Sequence, residues 1–114
     1  MDDLIAFLNA RLDEDEAPAN SLFFAARIPD KRPDFTACGG PAAEVYWDHF
    51  NPARVLREVA AKRAILAEYE RVAGSAQAYP NNATITSLGA AQTVVKALGT
   101  VYSDHPDYRA EWAP

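Results

Sequence analysis

A mostly helical α+β fold follows from three observations on this 114-residue chain. Apolar residues recur at helical spacing in three long stretches, and those stretches are bounded by capping or breaking residues. The one irregular stretch between them, residues 20–47, is aromatic and punctuated by turn residues. Three principal helices around one core, with residues 20–47 forming a small antiparallel sheet or hairpin, is the arrangement these features predict; an all-α bundle is the alternative. The length suits one domain over residues 1–114 and does not supply two cores.

The first helix is expected over residues 2–16. Leu4, Ile5, Leu8 and Leu12 fall at helical spacing, and Asp2 and Asp3 sit where the positive end of the helix dipole favours acids. The run Asp13, Glu14, Asp15, Glu16 would then lie at the negative end, an unfavourable placement unless cations stand opposite, and Pro18 is expected to end the helix. Residues 21–28, including Phe23 and Phe24, read as a short buried strand closed by Pro29. Residues 29–34 carry turn chemistry, residues 35–38 fit a second short strand, and residues 44–47, with Tyr46 and Trp47, fit a third strand or a helical turn.

The second helix has the clearest signals. Asn51 is a good N-cap and Pro52 suits the first helical position, where its missing N–H costs nothing. Phe50 is placed to pack on Val55 as a hydrophobic staple, Glu58 and Lys62 are spaced for an i,i+4 ion pair, and Gly74 fits a left-handed C-cap. A third helix follows the turn at residues 79–82, with Ile85, Leu88, Val95, Leu98 and Tyr102 on one face. Gly89 and Gly99 weaken that helix unless they admit a close neighbour. Residues 103–112 read as a tight cap and one helical turn.

Composition narrows the function. Hydrophobic content of 49% and charged content of 24% are those of a globular protein. A net charge of −5 argues against a general binder of nucleic acid or of anionic membranes. Cys38 is the only cysteine, so no intramolecular disulfide forms. The opening Met1-Asp2-Asp3 has acids where a secretory signal carries positive charge, and no apolar run approaches the ~20 residues of a membrane span; a cytoplasmic location is expected. No glycine-rich phosphate loop, serine elbow or His-Glu-x-x-His motif is present, which leans against an enzyme, and no cofactor is implied.

Three groups of residues carry candidate chemistry. Asp104, His105, Asp107 and Glu111 combine carboxylates with an imidazole and suit a divalent metal or acid–base work; the simpler reading is a helix cap, with Asp104 accepting from the Asp107 N–H. Lys62 interrupts the apolar stripe Val55, Val59, Leu66, Tyr69, either snorkelling or bonded to an acid, or else meeting a partner. Arg54, Arg57, Lys62, Arg63 and Arg71 make the central helix locally basic, but Glu58, Glu68 and Glu70 are interspersed, and complementarity with the acidic run of the first helix accounts for them better than DNA does.

Residues 51–59 with Ala61-Lys62-Arg63, residues 102–112 and the opening block through Glu16 resemble a family of small actinobacterial proteins, common in streptomycetes and their mobile elements, that is catalogued as a domain of unknown function. The blocks cover about half the chain in the family's order. The resemblance implies no established activity. The family's usual middle carries a Gly-Pro-Trp start, a β-hairpin and often His or Cys; here Gly-Pro-Trp is missing and Tyr46 and Phe50 stand where histidines often occur, so a metal role resting on those residues does not carry over. The leading reading is a non-catalytic protein-interaction or regulatory module, of mobile-element origin by that resemblance, binding a protein partner or itself, with Phe23, Phe24, Tyr46, Trp47, Lys62 and Arg63 as interaction candidates. The alternative is a small metal-dependent enzyme or metal-binding protein built on residues 104–111, and DNA binding through the central helix comes third.

Overall fold

The computed structural model describes residues 1–26 and 39–114. Four α-helices follow in order: α1 (Asp2–Ala26), α2 (Gly40–His49), α3 (Pro52–Ala78) and α4 (Asn82–Gly99), with single 3-10 turns at Thr100–Tyr102 and Ala110–Trp112. No strand occurs among the described residues, so the all-α alternative fits and the small sheet does not. Residues 21–26 continue α1 and residues 44–47 lie within α2, while the strand expected at residues 35–38 lies outside the described residues. Runs that short carry no period of their own, and here they take the conformation of the helix that enters them.

Pro18 sits inside α1 instead of ending it. An interior proline forgoes one backbone bond and crowds the carbonyl four residues back, at about 3 kcal/mol. The helix nevertheless keeps its phase. Leu4, Leu8 and Leu12 are fully buried, and Ala19, seven residues beyond Leu12, is buried too. Alanines at 17, 19, 25 and 26 supply helix propensity around the proline, and Ser21 Oγ donates to the Ala17 carbonyl at 3.3 Å. The acids at 13–16 therefore stand mid-helix, and the dipole conflict expected for them does not arise.

The start of α2 depends on glycine. Gly39 adopts φ +85°, a left-handed backbone, and a Cβ there would stand 3.0 Å from the Ala43 Cβ. Helix α3 begins as its sequence predicts, the Asn51 side chain accepting from the Arg54 N–H at 3.0 Å. Its end differs. Gly74 is helical, the only positive-φ glycines among the described residues being Gly39 and Gly40, and α3 runs on to Ala78. Pro80 is the stop, because the residue before a proline is pushed out of the helical region. Asn81 then caps α4 through a capping box, its side chain accepting from the Thr84 N–H while the Thr84 hydroxyl accepts from the Asn81 N–H, both at 3.0 Å.

The described chain divides into two compact units, Met1–Leu12 with Ala61–Pro114 and Asp13–Ala60. In the first, Leu4, Phe7 and Leu8 of α1 are buried together with Leu66 and Tyr69 of α3, Val95 of α4 and Trp112. Gly99 is a point of close approach: a Cβ there would lie 3.2 Å from the Leu4 side chain, which accounts for a glycine near the end of α4. Phe7 is ringed by Tyr102, His105, Tyr108 and Trp112, with centroids 5.1–6.3 Å away. In the second unit Ala19 and Val59 are buried, and α2 contributes no buried residue.

Candidate functional site

The Asp/His cluster of the tail is built into the fold around Arg11. Arg11 follows Phe7 by one helical turn and is only 9% exposed. Its guanidinium lies 5.0 Å from the Phe7 ring centroid, and its Nη1 faces the edge of the His105 ring, 2.9 Å from Nδ1 and also close to Nε2. His105 Nδ1 also accepts the Asp107 N–H at 3.0 Å. A guanidinium and a backbone N–H only donate, so the ring meets both neighbours as an acceptor. The Asp107 N–H is accepted by His105, not by Asp104 as the sequence suggested; this bond closes a turn at residues 105–107, and the 3-10 turn at Ala110–Trp112 starts from Arg109 with no side-chain cap.

That geometry leaves little for a metal. One ring nitrogen is occupied and a cation lies against the ring edge. Asp107 Oδ2 stands 3.9 Å from Arg11, and Glu111 the same distance from Arg109. Among the described residues no group of three or more His, Cys, Asp or Glu is placed to hold a metal ion. Arg109 is held at 3.0 Å by Asp3, an acid the sequence assigned to the helix dipole. Arg11 itself was missed, although its place one heptad after Leu4 on the buried stripe was a signal.

Lys62 resolves simply. Its ammonium lies 5.5 Å from the Tyr102 ring centroid, a cation–π contact that lets the stem cross an apolar stripe. Glu58, its expected partner, pairs instead with Arg54, Nε to Oε1 at 2.9 Å. Arg71 grips Glu68 with two bonds, at 2.6 and 2.8 Å. The hydrogen bond from Arg71 holds the Glu68 carboxyl below its ordinary pKa, and the same bond holds Arg71 above its own. Arg57 is exposed and Arg63 half-buried. Arg54 and Arg71 are thus engaged by acids of their own helix, which leaves no continuous cationic face on α3.

Two exposed aromatic residues, Tyr46 and Phe50, meet at the α2–α3 corner. Tyr46 and Phe50 stack at 4.8 Å between centroids, and the Arg54 guanidinium covers the Phe50 ring at 4.3 Å. Residues 46, 50 and 54 are spaced by four, so the column continues across the break between the two helices. Arg54 is fixed from three sides: the ring, the His49 carbonyl at 3.0 Å and Glu58. Asn51 ties the corner further, its Nδ2 donating to the Asp48 carbonyl at 3.3 Å. Phe50 is accordingly engaged by Tyr46 and Arg54, where the sequence had it as a staple for Val55. Tyr46 is 65% exposed, Val45 56% and Phe50 47%. Trp47 is half-buried, and the side chains of Phe23 and Phe24 lie outside the described residues.

No helix among the described residues is long and apolar enough to cross a membrane. No curated protein and no solved structure matches the chain. A family of unknown function (DUF6221) does match, over residues 1–114, and the chain belongs to that family.

Proposed function

We propose that the chain is a non-catalytic protein-interaction module that engages a protein partner through the α2–α3 corner. The observation that carries this reading is the exposed, pre-stacked column Tyr46–Phe50–Arg54. Tyr and Arg are among the residue types that dominate binding energy at interfaces, and side chains already ordered lose less entropy on docking. Val45 beside the column extends the apolar contact. Lys62, by contrast, is occupied by Tyr102 and drops from the surface this reading uses. A mobile-element origin rests on the family resemblance alone.

The test is a photo-crosslinking amino acid at position 45, introduced in cells that naturally produce the protein. One dominant adduct with another protein, lost when Tyr46→Ala and Phe50→Ala are combined, is the expected result. Adducts no different from those of the same probe at exposed Glu70 would refute the reading.

A further inference from the structure

A groove of about 340 Å³ runs between α3 and α4, lined by Ala64, Ile65, Glu68, Tyr69, Ala91 and Val94. A second concavity continues it toward the α3–α4 turn, past Arg71, Ser75 and Ser87. The lips carry apolar side chains in solvent, Ile65 being 36% and Val94 49% exposed. Along the α4 lip, Ser87, Ala90, Val94 and Ala97 recur at intervals of three, four and three, and all four are exposed. That is the heptad spacing of a helix–helix seam, and it lies outside the face that carries Val95 and Gly99 into the core. Lys96 is the only charged residue among the 18 of α4, which is unusual for a helix left in water.

The charges on the α3 lip indicate what covers the groove. Glu68 and Arg71 are three residues apart on one helix and both are exposed. Two antiparallel copies of α3, related by a two-fold axis midway between these residues, place each Glu68 opposite the other copy's Arg71. Arg71 has five N–H donors and spends two on its own Glu68, so the cross-copy pairing adds to the existing one. Such a lip is self-complementary, and the uncharged α4 lip brings no like charges together across the axis. Elsewhere the chain carries excess acid, and two copies repel.

We infer that a second copy of this chain occupies the groove, the two α3–α4 hairpins forming a two-fold four-helix contact. The groove shares no residue with the α2–α3 corner, so the inference stands whether or not the corner binds a partner. Over the roughly 27 Å that α4 spans, two helices side by side, each about 10 Å across, cover roughly 500 Å² per copy, near the lower bound for a specific interface. Association in the micromolar range is the corresponding expectation.

Sedimentation velocity and light scattering on the full chain, from about 1 to 200 µM, test this. Wild type should shift from monomer to dimer across that range, and Val94→Glu should abolish the dimer while circular dichroism stays helical. Glu68→Arg and Arg71→Glu should each weaken self-association at least tenfold. Mixing those two variants should restore a one-to-one dimer, because each then offers the charge the other lacks. Combining both changes in one chain should also restore it. A wild type that is monomeric at 200 µM overturns the inference, as does a dimer untouched by Val94→Glu or a mixture of the two charge variants that stays monomeric. A photo-crosslinker at position 94 that captures a different protein, and not a second copy, overturns it too.

Discussion

Truncating Phe7 should remove a large share of the chain's stability. Phe7 is 7% exposed and touches four rings, Trp112 at 5.1 Å, His105 at 5.5 Å, Tyr108 at 6.1 Å and Tyr102 at 6.3 Å between centroids. Replacing a buried phenylalanine by alanine costs about 3–5 kcal/mol through lost transfer energy and the cavity left behind. Ring pairs add about 0.5–1.5 kcal/mol each when isolated, but four pairs sharing one ring are not additive, so the total should stay near the upper end of that range. Phe7→Leu, which keeps much of the apolar volume and loses the ring geometry, should cost about 1–1.5 kcal/mol. Against a total of about 5–15 kcal/mol, the alanine variant loses a third or more of the stability, and its melting temperature should fall by about 10–20 °C. Urea unfolding followed by circular dichroism and tyrosine–tryptophan fluorescence measures both variants. A loss below about 1 kcal/mol for Phe7→Ala would show that the ring cluster is not part of the cooperatively folding core.

Two further outcomes follow from local geometry. Asn51→Ala removes the acceptor for the Arg54 N–H and should destabilise the chain by about 1 kcal/mol in urea, while Asn51→Ser, which still caps, should cost only a few tenths. The Glu68 carboxyl, held below its ordinary pKa by Arg71, should titrate upward toward that value in Arg71→Ala when followed by NMR. A depressed folded-state pKa means the pair supports the fold above the ordinary glutamate range, and that support is lost as pH falls through the lowered value.

The helices were legible in the sequence where a side chain closes a local hydrogen bond. Asn51 with Pro52 marked the start of α3, and the Asn-rich turn before α4 conceals a complete capping box. The glycine near the end of α4 was legible as a point of close approach, and Gly99 meets Leu4. Breakers were misread where a long-range stripe outweighs a local cost. Pro18 lies in a helix whose buried residues keep their phase on both sides, and Gly74 lies in one that stops only when Pro80 forces it. The aromatic corner was half legible: Tyr46 and the basic Arg54 stood out separately, but their stacking through Phe50 depends on how α2 meets α3. His105 could not be assigned from sequence, because its partner Arg11 is 94 residues away.

That separation has a consequence for biosynthesis. Phe7 and Leu8 emerge from the ribosome early, yet the rings that enclose Phe7 belong to residues 102–112. At about 5–20 residues per second, the amino-terminal helix waits on the order of 5–20 s before its counterpart is even synthesised. The α2–α3 corner faces no such delay, since its contacts span at most five residues and close as soon as they are made. During translation the apolar stripe of the first helix is therefore left to transient cover, and the acids at 13–16 next to it help keep the nascent segment in solution.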